Sequence, residues 1–385
     1  MTRILQAFVV VAILLVAAAS ASAGVEVTPY GYIKLDASFD SALTNDGNFA
    51  YVVLPYVGGD EQSEFNMTAK QTRLGLKMKG GGTDAVDLSG VIEFDFYGAG
   101  GENKSSPMFR KAYMVLKTDA VDILAGQTSD VISPIVPTTL NYIVLWKSGD
   151  IGYRRPQIRL SKTVQVGGGS KLSVEAAATR SMGVVAGGGE KVGMPAFQGR
   201  IAFGTEIMGY PAIVGVSGLM GKEEITYADS LANLTVFELD QSVVAVDVTL
   251  PLGDMLSLKG QYFTGKNLAQ YLGGVGQSFA DVTPPGTIDA DLVEIESSGW
   301  WAQLTAKPSK SWQINVGTGM DDPEIPEGDR AGNQYEKNTT IYGNVLWTVA
   351  PAAVVGAEYA KIETEYVGGE TYEDSRMQLS FMYKF

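Results

Sequence analysis

The last ten residues, Arg376-Met-Gln-Leu-Ser-Phe-Met-Tyr-Lys-Phe385, alternate two kinds of side chain. Met377, Leu379, Phe381, Tyr383 and Phe385 form one set, and Arg376, Gln378, Ser380, Met382 and Lys384 the other. Successive side chains on a strand point to opposite faces, so this period of two marks a strand with one apolar face. Exposed to water, such an edge would aggregate. The pattern recurs near the start, where Gly31, Ile33, Leu35, Ala37 and Phe39 alternate with Tyr32, Lys34, Asp36, Ser38 and Asp40. It continues in Thr72, Leu74, Leu76 and Met78 against Gln71, Arg73, Gly75, Lys77 and Lys79. Ile92, Phe94 and Phe96 alternate with Glu93 and Asp95, Val244 to Leu250 with Asp247 and Thr249, and Trp312 to Val316 with Gln313 and Asn315.

Two kinds of connection separate these strands in turn. Short turns are expected near 80–87, 118–121, 163–170, 206–211, 250–255, 307–311 and 350–352. Long polar or glycine-rich segments fall near 41–66, 98–107, 129–152, 181–195, 222–239, 266–297, 320–338 and 363–374. Seven short turns and eight long loops predict sixteen strands. An even strand number with short turns on one side and long loops on the other is the plan of a bacterial outer-membrane barrel, with both termini periplasmic. The expected fold class is therefore all-β, a transmembrane antiparallel barrel. It must close, because an open edge in hydrocarbon leaves backbone groups unpaired at several kcal/mol each. A barrel of this size keeps an aqueous lumen, whereas about eight strands would be filled by side chains.

The amino terminus fits export. Arg3 precedes an apolar run from about Phe8 to Ala19 and the small residues Ser20 to Ala23, the layout of a secretory signal peptide cleaved before Gly24. That run falls short of the roughly 20 residues a membrane helix needs. Domains are thus expected as a signal at 1–23 and one barrel at 24–385. The 46 glycines, 18 tyrosines and 14 phenylalanines suit many strands and turns, and the mean hydropathy of +0.05 suits a wall polar on one face only.

With no cysteine, the fold does not depend on disulfides. With no histidine, Ser-His-Asp catalysis, histidine-ligated zinc and a histidine general base are excluded, and no enzyme, cofactor or metal is expected. The net charge of −14 argues against nucleic acid as a partner.

Candidate chemistry lies on the inward face. In Tyr153-Arg154-Arg155-Pro156-Gln157-Ile158-Arg159-Leu160-Ser161, lipid-facing Ile158 and Leu160 put Arg155, Gln157, Arg159 and Ser161 inside. The same parity puts Lys34, Arg73, Lys77, Arg200 and Lys259 inside and Arg154 outside, at the membrane rim or a subunit contact. These cations read either as an electrostatic path for small organic anions or as partners of acids such as Asp36, Glu93 and Asp95.

The segment 129–152 is too apolar to extend into water, and Pro134 and Pro137 oppose a regular helix. It is expected to fold inwards and narrow the pore, with Pro134, Pro137, Tyr142 and Trp146 as constriction residues, or otherwise to cover a neighbouring subunit. The acidic stretches Asp281 to Glu296 and Asp321 to Asp329 read as solvated outer loops without the ligand spacing of an EF-hand. The run Gly167 to Lys171 lacks P-loop spacing and reads as a turn. Trp300 and Trp347 suit aromatic girdles.

Four segments carry a family resemblance: Tyr30 to Asp40, Thr72 to Lys77, Asp122 to Thr128 and Arg155 to Arg159, together with the terminal Phe385 of outer-membrane barrels. On these the chain resembles the general trimeric porin superfamily, most nearly the DcaP-like porins. The resemblance implies a sixteen-stranded homotrimer in outer-membrane lipid, a constricting third loop, and a positive lumen admitting small anions such as dicarboxylates. The chain departs from the family in lacking a coiled-coil extension between the signal and the first strand. Two function classes stay in play: a passive porin, and a surface adhesin or structural barrel whose acidic loops bind a partner.

Overall fold

A computed structural model of the protein describes residues 24–56, 62–228, 234–283, 291–327 and 334–385. The expected signal peptide, 1–23, lies outside the described residues. Strand β1 is Val25–Asp40, β2 Glu64–Thr68, β3 Arg73–Gly80, β4 Asp87–Asp95, β5 Met108–Lys117 and β6 Asp122–Ser129. Next come β7 Arg154–Gly167, β8 Ser170–Thr179, β9 Ala196–Ile207, β10 Tyr210–Ala228, β11 Leu234–Pro251 and β12 Leu256–Lys266. A small hairpin, β13 Phe279–Asp281 with β14 Leu292–Glu294, sits in an outer loop. The wall resumes with β15 Glu296–Ser309, β16 Trp312–Glu324, β17 Tyr335–Ala350, β18 Ala353–Tyr366 and β19 Thr371–Lys384.

Every wall strand pairs antiparallel with its sequence neighbour, and β1 pairs with β19 to close the sheet. Strands β2 and β3 both pair with β1 and so occupy one position in the wall. The seventeen-stranded sheet is therefore a sixteen-position barrel, as the alternation predicts.

The period of two sorts the side chains. Ile33 is 58% exposed on the outside while Lys34 beside it is 2% exposed on the inside. On β19, Met377, Leu379, Phe381 and Tyr383 face out, and Arg376, Gln378 and Ser380 are buried inwards. Phe197, Ile201, Val214, Val246, Leu304 and Val316 extend the same apolar exterior around the barrel. A continuous apolar outside around a polar inside is stable only in lipid. Among the described residues no helix is long and apolar enough to cross a membrane. The Trp312 and Trp347 rings stack near the short turns, 5.6 Å between centroids, as at an interfacial aromatic girdle.

All seven short turns lie where the sequence places them. Two long loops are shorter than expected, because the strands continue past the apolar band. β10 and β11 stay paired through Lys222↔Asp240 and Glu224↔Glu238, and β18 and β19 through Lys361↔Ser375 and Glu363↔Glu373. Above the membrane both faces meet water, so alternation vanishes although the hydrogen-bonded ladder does not. Cross-strand ion pairs take its place, Lys222 with Glu238 at 3.1 Å and Lys361 with Glu373 at 2.8 Å.

Candidate functional site

Loop 130–153 lies inside the barrel, as its apolar content predicts. Its neck is closed by Asp130, whose amide donates to the Tyr153 carbonyl while its carboxylate accepts the Tyr153 amide at 2.8 Å. From there the loop follows the inner wall. The Gln198 side-chain oxygen on β9 accepts the Val131 amide, Gln261 on β12 donates to the Ile132 carbonyl, and Gln303 on β15 accepts the Thr138 amide. Glu358 on β18 accepts the amides of Leu140 and Asn141 at 2.7 and 3.0 Å. The loop then reaches β4 and β5, where the Tyr142 hydroxyl donates to Asp95 and accepts from Arg110.

Its return limb presses on the wall where two glycines allow it. A Cβ on Gly149, whose φ is +102°, would meet the Trp300 carbonyl oxygen at 2.0 Å, and one on Gly319 would meet the Ser148 carbonyl oxygen at 2.1 Å. Val144, Leu145 and Lys147 all have positive φ, a strained tip held by the burial of Ile143, Leu145 and Trp146. Asp150 is fully buried here. Burial pushes its carboxyl well above the usual carboxylate range, the Lys259 amine acting in the opposite sense.

The constriction residues separate on inspection. Pro134 stays exposed to the lumen, beside Val136, whereas Pro137 is buried against the wall and cannot line the pore. Tyr142 and Trp146 are also buried, packed with Phe49, Tyr51, Tyr97 and Tyr153. This aromatic group lines a cavity of about 250 Å³ at the outer mouth, with Asp46 and Lys70 at its edge.

Two further loops fold inwards, which the sequence reading does not anticipate. Segment 41–56 is anchored by Val53 to Thr364 and by Ala42 to Asp374, with Ala50, Val52 and Val53 buried. Segment 267–277 joins loop 130–153 through Lys147 to Leu272 and Gly152 to Tyr271 backbone bonds. Asp321, expected in a solvated loop, is fully buried and accepts the Gly274 and Val275 amides and the Ser297 hydroxyl, pinning this segment.

The seven predicted lumen cations divide by their partners. Lys34 and Arg155 correct the expectation, since neither reaches water. Lys34 is shut under the loop, 3.0 Å from Asp36 and bonded to the Leu140 carbonyl. Arg155 is 0% exposed, 2.7 Å from Asp130, and its guanidinium lies 3.9 Å from the Tyr271 ring centroid while donating to the Gln270 carbonyl. It therefore clamps the neck of loop 130–153 to segment 267–277.

Arg73, Arg159 and Arg200 keep some exposure to the lumen but face carboxylates. Arg73 is 3.7 Å from Glu93, Arg159 2.9 Å from Glu175, and Arg200 2.6 Å from Asp247. Lys77 is exposed, with its amine 4.8 Å from the Tyr30 ring centroid. Lys259 donates to the Val136 carbonyl and the Thr138 hydroxyl of the loop. Pairing with acids is thus the rule among the predicted arginines.

Sequence parity misses Arg110 and Lys111 and misplaces Arg154. Arg110 is the extra residue of a β-bulge between Glu93↔Lys111 and Phe94↔Phe109, and it binds Glu93 at 3.1 Å and Asp95 at 2.5 Å. Arg154 is 7% exposed rather than outward at the rim, and its guanidinium stacks 4.2 Å from the Tyr153 ring centroid. A bulge and a loop end both break the period of two, and nothing local in the sequence marks either one.

No family model and no curated protein sequence matches the chain. Solved structures do. The outer-membrane channel DcaP of Acinetobacter baumannii superposes with a TM-score of 0.74 at 21% identity, over 94% of this chain and 97% of that one. Salmonella typhi OmpF gives 0.60 at 12% identity, over 94% and 99%. The anion-selective porin from Comamonas acidovorans gives 0.58 at 12% identity, over 94% and 100%. The fold is therefore that of the outer-membrane porins, as the resemblance implies.

Proposed function

We propose that the chain is an outer-membrane porin, exported by its segment 1–23, that forms a water-filled channel for passive diffusion of small hydrophilic solutes and prefers small organic anions. One observation carries this reading. Loop 130–153 follows the wall from β9 to β19 and reaches β4 and β5 through Tyr142, and the lumen wall of β3 and β5 carries Arg73, Lys77, Arg110 and Lys111 against Glu93 and Asp95. A track of fixed cations beside water lowers the barrier for anions and raises it for cations. The name of the similar Comamonas porin, which states anion selectivity, agrees with this direction.

A homotrimer fits as well. The outward groove between Phe39, Phe65, Val316, Tyr359 and Leu379 narrows over the small residues Ala37, Gly343 and Ala357, a shape that can admit a neighbouring barrel as readily as lipid. One of the similar Vibrio cholerae proteins is described in a trimer form.

Proteoliposome swelling tests the reading. Vesicles holding the refolded protein should swell in an isotonic small sugar, and faster in a dicarboxylate salt than in a diamine salt of similar size. Equal rates for the two ions would remove the anion preference. No swelling from heat-modifiable, folded protein would remove the channel and favour the structural or adhesive barrel.

A further inference from the structure

We infer that Lys111, delivered to the lumen by the bulge at Arg110, is the residue that sets the charge preference of the channel. The inference rests on the channel reading above and deepens it. Its starting point is the register of β4 and β5. Phe109 is 64% exposed to the outside, and Met114 also faces out. They are five positions apart, so strict alternation would put them on opposite faces. The bulge at Arg110 absorbs the extra residue, which turns both Arg110 and Lys111 inwards.

The two cations then meet different fates. Arg110 is held by Glu93 and Asp95 and by the Tyr142 hydroxyl, so its charge is spent locally. Glu93 is already engaged by Arg110, by Arg73 and by the Tyr30 hydroxyl at 2.9 Å. Lys111 sits opposite Glu93 in the register yet has no carboxylate within 4 Å of its amine among the described residues. The acid it faces, Glu93, is thus shared with two arginines, Arg73 and Arg110.

Five other inward cations are each matched by an acid, Arg159 with Glu175, Arg200 with Asp247, Arg155 with Asp130, Lys34 with Asp36 and Arg376 with Asp40, while Lys77 stands beside the Tyr30 ring and Lys259 is held by oxygens of loop 130–153. The β3–β5 cluster breaks that balance, because Arg73, Arg110 and Lys111 face only Glu93 and Asp95. Half-buried against a low-dielectric wall, the surplus charge acts on passing ions with less screening than a surface lysine would have. Arg110 across the bulge sits beside Tyr142 of loop 130–153, so the surplus lies where that inward loop meets this wall.

The chain has no cysteine, so Lys111→Cys introduces its only thiol. Single channels of this variant, in a potassium chloride gradient, should show a chloride-to-potassium permeability ratio about two- to threefold below the parent. A positively charged ethylammonium thiosulfonate applied to the open channel should restore the ratio, and a negatively charged ethylsulfonate reagent of similar size should lower it further. Because modification acts on a channel already conducting, misfolding cannot imitate the result. If the thiol variant does not fold, Lys111→Gln gives the same comparison with the parent. Labelling confirmed by mass without any shift in reversal potential would overturn the inference, as would a thiol that neither reagent reaches in the folded channel. A parent protein that never conducts would instead overturn the channel reading itself.

Discussion

Replacing Arg155 with methionine should destabilise the barrel by about 3–5 kcal/mol, seen as a lower midpoint in heat-modifiable gel shifts, because it strands a buried carboxylate. Asp130 is fully enclosed and uses Arg155 at 2.7 Å as its counter-ion, with Gln198 and the Tyr153 amide completing its shell. The same arginine holds the Gln270 carbonyl and the Tyr271 ring, so its loss also loosens two inward loops from each other. Asp130→Asn added to Arg155→Met should recover much of the loss, since the stranded charge is then gone while most neutral hydrogen bonds remain. The ion selectivity of either variant, measured by reversal potential, should stay near that of the parent. A stable Arg155→Met barrel with altered selectivity would return this residue to the solute path.

Glu358→Ala should release the middle of loop 130–153. Its carboxylate accepts the Leu140 and Asn141 amides and the Asn344 side chain at 2.8 Å, all of them buried. Alanine leaves those donors without a partner, at about 1–3 kcal/mol for each buried group left unmade. The loop can satisfy them only by moving to water, which means leaving the wall. Single-channel records should then show larger or strongly flickering steps, with Glu358→Gln intermediate because it keeps one acceptor oxygen. Steps of unchanged size and steadiness in a folded Glu358→Ala barrel would show that the loop does not set the bore.

What the sequence made legible follows from where water and lipid meet a single strand. Within the membrane one face must be apolar, so Ile33, Leu35, Phe39 and Met377 to Tyr383 announce strand, register and orientation together. The inward fold of loop 130–153 was legible for a related reason, since Ile132, Ile143 and Trp146 have no place in water. The other inward segments are shorter and mix apolar with polar residues; in 41–56 the run Phe49 to Leu54 was a signal that the reading of that segment as an outer loop passed over. Segment 267–277 buries only Leu268, Ala269, Tyr271 and Val275 among its large or apolar side chains, and it is held chiefly by Asp321, a residue whose acidic neighbourhood suggested solvent.

The candidate cations were harder to place. Parity assigns a face but not a partner, and the partner decides whether a charge is free. Parity put Arg155 in the lumen with the others, yet Asp130 and Tyr271 enclose it from loops that no local pattern ties to β7. Lys34 is covered in the same way by Leu140. Lys111 went unnoticed for a different reason: the bulge at Arg110 breaks the alternation between Phe109 and Met114, so β5 shows no clean period of two from which to place it.

The most direct test of the central claim is single-channel conductance of the refolded protein in a planar bilayer under a salt gradient. The account predicts discrete, long-lived steps, grouped in threes if the barrels associate as proposed, with a reversal potential of the sign that favours anions. Folded barrels that insert and pass no current would contradict it.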